Sequence, residues 1–275
     1  MTSRPLLVAT DLDGTVVRPD GTISDRMVSA FARVEESGAE FVVVTGRPPR
    51  LVDEVAEKFG GRGLAICSNG AYLYDMQARK VVEEYAIAPP DLAVAVARLR
   101  AVIPGIGIAV EHSDRLVADE HYQPWDWDRG VTIERADDEL LLSLPAPKLL
   151  GRHPELSADE LLALAKPVLD GLVTVYHSNG SRLVEAVAIG VHKAAALARL
   201  AERSGVGPAD VIAFGDMPND LPMLAWAGTA YGVANGHPDV LAMVDHVIGS
   251  NSEDGVAVVL EQLYAVEKEK TVVGE

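Results

Sequence analysis

The 275-residue sequence holds one cysteine, Cys67, so no disulfide can form within the chain and a disulfide-stapled miniprotein is excluded. Basic residues are in short supply too: 24 Lys and Arg stand against 41 Asp and Glu, a formal charge of −17. A chain this acidic repels the phosphate backbone on which nucleic-acid affinity depends, so neither nucleic acid nor an anionic membrane surface is an expected partner. No uninterrupted apolar run reaches the roughly 18 residues of a spanning helix. The apolar run that follows Met1 to Pro5 is too short for the core of a secretory leader, which points to the cytoplasm. Internal repeats of solenoid period and low-complexity tracts are missing as well. What remains is 48% hydrophobic and 24% charged, the composition of a globular chain large enough for one substantial core and a second, smaller one.

Short β-rich runs alternate with helical patterns at the N-terminal end: strands over Leu6 to Thr10 and Phe41 to Thr45, helices over about Ser24 to Ser37 and Pro49 to Phe59. This rhythm predicts a parallel sheet covered on both faces. The first helix is expected in detail, with Ser24 as N-cap, Met27, Val28, Phe31 and Val34 on one face and Gly38 just past its end. The rhythm resumes from about His192, with a helix to Ser204, a strand from Val211 to Phe214, a helix over Pro218 to Ala227 and strands at Ala230 to Val233 and His246 to Ile248. Between these halves, strand pairs mix with helices at about Asp91 to Val102 and from Ser157, whose capping box with Glu160 opens a helix that Pro167 is expected to end. The predicted fold class is therefore α/β. A Rossmann-like, doubly wound parallel sheet is formed by residues 1–83 and 187–275, with an inserted α+β module over 84–186.

Chemistry gathers at the strand ends. Asp11-Leu12-Asp13-Gly14-Thr15 follows the first strand, where open α/β sheets place their ligands. Strand alternation would point Asp11 and Asp13 the same way, about 6 to 7 Å apart along the strand. Asp-x-Asp-Gly is also ordinary turn chemistry, and an EF-hand is excluded because Val16 stands where that loop needs glycine. The second strand delivers Thr45-Gly46-Arg47, a hydroxyl and backbone amides able to grip an anion at a helix start. Lys193 opens a later helix, and Val211 to Phe214 delivers Gly215-Asp216-Met217-Pro218-Asn219-Asp220, a second acidic turn. Each has a bland reading as a cap or a solvated residue; four in this order at the ends of one layer are harder to dismiss.

With these residues in place, the sequence closely resembles the haloacid dehalogenase superfamily of phosphotransferases, and within it the Cof-type sugar phosphatases. Asp11 to Thr15 match motif I, Thr45 to Arg47 motif II, Lys193 motif III, and Gly215-Asp216 with Asn219-Asp220 motif IV; Ser68 to Ala71 and Asn251 to Val256 are similar too. The stretch from Asp20 to Thr45 is too short for a cap after motif I, whereas more than half the chain separates Thr45 from Lys193, so the resemblance implies a C2-type cap there. It also implies a small phosphorylated metabolite as substrate, a sugar phosphate by subfamily, and Mg²⁺ held by the Asp11 carboxylate, the Asp13 carbonyl and the Asp216 carboxylate, with Asp220 acting directly or through water. Asp11 would be the nucleophile and Asp13 the general acid and base, with Asp11 kept ionised and Asp13 nearer neutrality. Thr45, Gly46, Arg47, Lys193, Asn219 and Asn69 would bind phosphate or substrate. The rivals are a phosphomutase or phosphotransferase of the same superfamily and a non-catalytic metabolite sensor, and either a monomer or a homodimer is compatible with the sequence.

The seven histidines form no HxH or HxxxH pair, so structural roles are expected for them rather than zinc. His121 to Asp128, with Tyr122, Trp125 and Trp127, is the most aromatic stretch; it is either a stacking surface for substrate or a loop packed down by its own aromatics. Cys67 reads as a small buried residue at a strand end, and the tail from Val266 as fraying.

Overall fold

The computed structural model describes residues 4–125, 128, 131–177 and 182–265. The chain first lays down β1 (Leu7–Thr10), α1 (Asp25–Glu36), β2 (Glu40–Val44), α2 (Asp53–Lys58), β3 (Leu64–Cys67), β4 (Tyr72–Asp75) and β5 (Lys80–Glu84). There follow α3 (Pro89–Val102), β6 (Gly107–Glu111), β7 (Leu116–Ala118), β8 (Ile133–Arg135), α4 (Asp138–Leu141), β9 (Lys148–Arg152), α5 (Ala158–Leu169), β10 (Val173–Tyr176) and β11 (Leu183–Ala188). The last part adds α6 (Lys193–Arg203), β12 (Val211–Gly215), α7 (Leu221–Trp226), β13 (Thr229–Val233), α8 (Pro238–Met243), β14 (His246–Ile248) and α9 (Gly255–Leu263).

Two sheets result. The first has eight strands in the order β14-β13-β12-β1-β2-β3-β4-β5, and the second six in the order β10-β11-β9-β6-β7-β8. In the first sheet β14 through β3 run parallel, and alternation divides their side chains cleanly. Val8, Val43, Ile212 and Phe214 face a core completed by α1, α2 and α9, while Leu7, Ala9, Val42, Val44 and Ala213 face α6, α7 and α8. This is the doubly wound α/β architecture expected.

The α1 helix follows the sequence closely: the Ser24 hydroxyl accepts from the Met27 amide at 3.0 Å, and Met27, Phe31 and Val34 are buried. Each such side chain contributes about 1.5–3 kcal/mol by leaving water.

Three expectations need correction. The sheet is not parallel throughout, because β4 and β5 add an antiparallel edge. Their hairpin turn is held by the Asp75 carboxylate, which accepts from the Gln77 and Ala78 amides, and by Arg79 at φ 49°, with none of the glycine signals that announce a tight hairpin. Pro167 does not end its helix either: α5 continues to Leu169, since proline forfeits only one amide bond in a last turn whose Leu169 is buried in the second core. The segments at Pro49 and Pro218 each open with a 3-10 turn, Pro49–Leu51 and Pro218–Asp220, before α2 and α7 begin.

Among the described residues, the second sheet carries helices on one face only. There α3 and α5 cover Ile108, Val110, Leu149, Val173 and Val184. Its other face, with Glu111, Lys148, Leu150, Arg152, Leu183 and Glu185, borders a cavity whose far wall is Asp11, Asp13, Gly46, Arg47 and Asn219 of the first sheet's loops.

Candidate active site

Strand order in the first sheet reverses between β1 and β12: the chain runs outward from β1 through β2 and β3, then returns to lay β12 and β13 on the opposite side. A crevice beyond the carboxyl ends of such a pair is where ligands bind in open α/β sheets. The Asp11 amide still pairs with the Phe214 carbonyl at 3.0 Å; beyond that rung the chain turns, and the Leu12 carbonyl accepts from the amides of Thr15, Val16 and Val17. Asp11 and Asp13 therefore share the cavity through a turn rather than through strand alternation, because β1 stops at Thr10. Gly14 makes the turn at φ 87°, where a Cβ would collide with the Asp216 carboxylate.

Lys193, at the first position of α6, is buried and donates at 2.5 Å to both Asp11 Oδ1 and Asp220 Oδ1. Burial works against its ammonium, but Asp11 and Asp220 outweigh burial and raise its pKa. The other oxygen of Asp220 accepts from the Asp216 and Met217 amides at 3.0 and 3.1 Å, so both of its oxygens are engaged within the protein. Asp216 accepts from the Thr15 hydroxyl at 2.9 Å.

Asp11, Asp216 and Asp220 each bring a carboxylate oxygen within 4.8 Å of the others. Burial drives the Asp11 carboxyl well above its usual range, with Lys193 opposing and the neighbouring carboxylates adding to the rise. Burial and Asp220 push Asp216 up to about 7. The side chains here thus leave these acids short of positive charge, and an all-oxygen set of this kind fits a hard divalent cation such as Mg²⁺.

On the same wall of the cavity, Arg47 grips Asp13 with both arms, Nε to Oδ2 at 2.8 Å and Nη2 to Oδ1 at 2.5 Å. Burial opposes the Arg47 charge, yet the bonds to Asp13 raise its pKa. Thr45 is fully buried, and its hydroxyl accepts from the Arg47 amide at 3.1 Å. The expected anion grip at a helix start is not formed as such, because that amide is committed and a 3-10 turn stands between Gly46 and α2. Asn69 is also buried and does not line the cavity. Ser68 and Asn69 both hold left-handed backbone, φ 48° and 54°, and Asn219 Nδ2 donates to the Asn69 side-chain Oδ1 at 3.0 Å. Asn69 thus positions Asn219, which does reach the cavity.

Several site residues carried no signal in the sequence. Asn235 donates to the Gly14 carbonyl at 2.8 Å while accepting from the Asn251 amide at 2.9 Å, whereas Thr15, which orients Asp216, belongs to the motif I match and lacked only an assigned role. Lys148 of the second sheet is buried and spans the two halves, donating to the Gly46 carbonyl at 2.8 Å and to Glu185 at 2.7 Å, with Glu111 at 3.3 Å. Arg50 reaches back to Glu111 at 2.8 Å. The only available hint was charge placed in otherwise apolar strands, Lys148-Leu-Leu-Gly-Arg152 above all.

In the aromatic segment, Tyr122 is buried with its hydroxyl 3.2 Å from Asp128, as a packed loop requires, and Trp125 borders the cavity. Asp126 and Trp127 lie outside the described residues, as does the tail from 266. Cys67 is fully buried, and burial pushes its thiol pKa up. His153, His192 and His237 accept from backbone amides at helix starts or turns, which is structural work.

The family model for haloacid dehalogenase-like hydrolases matches residues 8–260. The chain belongs to this family. Among curated relatives, the pyridoxal phosphate phosphatase YbhA of Escherichia coli (strain K12) is 28% identical over 94% of this chain and 97% of its own. The 5-amino-6-(5-phospho-D-ribitylamino)uracil phosphatase YitU of Bacillus subtilis (strain 168) is 25% identical over 97% of this chain and 100% of its own. Among solved structures, a haloacid dehalogenase-like hydrolase from Bacteroides thetaiotaomicron superposes with a TM-score of 0.79 at 25% identity, covering 94% of this chain and 98% of that one. As a haloacid dehalogenase-like hydrolase, the chain is an enzyme. Among its described residues no helix is long and apolar enough to cross a membrane.

Proposed function

We propose that this hydrolase is a Mg²⁺-dependent phosphatase of a small phosphorylated metabolite, with Asp11 as nucleophile and residues 84–186 acting as its cap. The observation that carries the reading is the Asp11 carboxylate, held by Lys193 just past the carboxyl end of β1, with Asp13 on the same cavity wall. Relatives named as phosphatases of pyridoxal phosphate and of a phosphoribityl compound support a small phosphate ester, sugar phosphates among the class.

Asp11 attacks phosphorus in line; the new P–O bond to its carboxylate forms as the P–O bond to the leaving group breaks. Asp13 gives its proton to the departing alkoxide, then takes one from the water that attacks the aspartyl-phosphate, releasing phosphate and regenerating Asp11. For this Asp13 must leave Arg47, and an arriving phosphate offers that guanidinium a competing anion. Lys193, Thr45 and Asn219 would meet charge on the transferring group. Asp11, Asp216 and the Asp13 carbonyl would hold the Mg²⁺, with Asp220 behind through its bond to the Asp216 amide. When bound, the ion neutralises charge on the phosphoryl oxygens.

The test is phosphate release from sugar phosphates, nucleotides, cofactor phosphates and an aryl phosphate, with Mg²⁺ or with chelator, against Asp11→Asn. Metal-dependent turnover lost in the variant is the expected result; release no greater than that of folded Asp11→Asn would overturn the reading.

A further inference from the structure

Strand alternation places Lys148, Leu150 and Arg152 of β9 together on the cavity wall. The two cations differ in one respect. Lys148 has Glu111 directly opposite in the ladder and Glu185 beside it. Arg152 has Gly107 opposite on one side and Leu183 on the other, neither with an acceptor side chain.

Arg152 is nonetheless 93% buried, with 7% of its surface exposed. Among the described residues its guanidinium makes no hydrogen bond and no ion pair; it lies over the Trp125 ring, 4.5 Å from the centroid. Asp128, also lining the cavity, accepts from the Tyr122 hydroxyl at 3.2 Å and the Trp125 amide at 2.9 Å, both on Oδ2, and makes no ion pair with Arg152. A buried charge is costly unless paired, and a guanidinium stacked on a ring keeps its in-plane N–H edges available for a bidentate acceptor. Arg152 lines the cavity that also contains Asp11.

We propose that Arg152 is a specificity-determining residue that receives a second anionic oxygen group, a carboxylate or another phosphate, on the leaving-group side of the substrate. This rests on the phosphatase reading above. A leaving group bearing only hydroxyls would leave the cation uncompensated, whereas carboxylate or phosphate oxygens match its fork.

The test compares matched phosphates: phenyl phosphate against 4-carboxyphenyl phosphate and 1,4-phenylene bisphosphate, and butyl phosphate against 4-phosphooxybutanoate and 1,4-butanediol bisphosphate. In wild type, kcat/KM for at least one anionic member should exceed its neutral partner by about ten-fold or more. That ratio should fall to within about two-fold in Arg152→Met and to an intermediate value in Arg152→Lys, which keeps the charge without the fork. Whether the carboxylate or the bisphosphate gains more identifies the group. Equal treatment of anionic and neutral members by wild type, or a preference that survives in Arg152→Met, overturns the proposal; should the Met variant not fold, an unreduced preference in Arg152→Lys does so.

Calorimetry of 4-carboxyphenyl and phenyl phosphate on Asp11→Asn, with and without Arg152→Met, reads the same discrimination without turnover. If wild type hydrolyses nothing while calorimetry finds discrimination dependent on Arg152, the phosphatase reading fails and this one stands. Hydrolysis without any such dependence has the opposite meaning.

Discussion

Gly14 and His192 show how single residues hold the site. At φ 87° Gly14 has backbone that costs an L-residue about 1–2 kcal/mol, and its missing side chain leaves room for Asp216. Gly14→Ala is therefore expected to lower stability by that amount and, by displacing a carboxylate of the proposed reacting centre, to cut turnover about 100-fold; urea unfolding and steady-state kinetics check the two effects separately. His192 caps α6 through Nδ1, which accepts from the Ala195 amide at 3.2 Å and so must be unprotonated. Burial, followed by the nearby Arg199, lowers its pKa from the ordinary 6.5. As pH falls below 6.5 the unfolded chain takes up this proton first, so the stability the cap contributes is present above that pH and is lost as pH drops through the lowered value. His192→Ala should cost about 1 kcal/mol at pH 7.5, and its deficit relative to wild type should shrink toward pH 5; a deficit independent of pH would exclude the cap as the cause. The residues of Asp11 to Thr15, Thr45 to Arg47, Lys193 and Asp216 to Asp220 were legible in advance because polar chemistry at a strand end stands out from an apolar run. Asn235 was not, since an asparagine in a loop has many ordinary uses.

Among the elements, β9 joins the two halves. Its Lys148 ties Glu185 and Glu111 of the second sheet to the Gly46 carbonyl of the first, and Arg50 closes the circuit on Glu111. Among the described residues two cations meet two carboxylates; burial opposes the Lys148 charge, but Glu185 and Glu111 prevail and raise its pKa. Lys148→Met should cost about 3–5 kcal/mol because it strands buried carboxylate charge, and adding Glu185→Met should recover much of the loss by leaving the Arg50–Glu111 pair balanced. Denaturant unfolding of both variants decides it, and a double variant no more stable than the single one would rule out charge imbalance as the origin. Helices and parallel strands of the first sheet were legible from periodicity and caps, Ser24 and the Ser157–Glu160 box being clear instances. The β4–β5 hairpin was not: its turn depends on an aspartate side chain and on Arg79 in left-handed backbone, where a glycine would have marked it. Pro167 misled because two more residues of helix bury Leu169.

For the whole molecule, the formal charge of −17 is a self-repulsion that folding must overcome. Added monovalent salt screens it, so raising NaCl from about 20 to 200 mM at pH 7 should raise Tm by about 2–4 °C; scanning calorimetry checks the direction, and a fall would place the favourable ion pairs ahead of the net charge. The second sheet, with helices on one face and the cavity on the other, has a consequence for inheritance and for engineering. The proposed nucleophile and proton carrier come from loops of one sheet, while the opposite wall is drawn from alternate positions of β6, β9 and β11, whose backbone is paired in register and indifferent to what those positions carry. Such a wall works like movable type: letters at Leu150, Arg152 and Leu183 can be reset while the press that cuts the ester stays as it is.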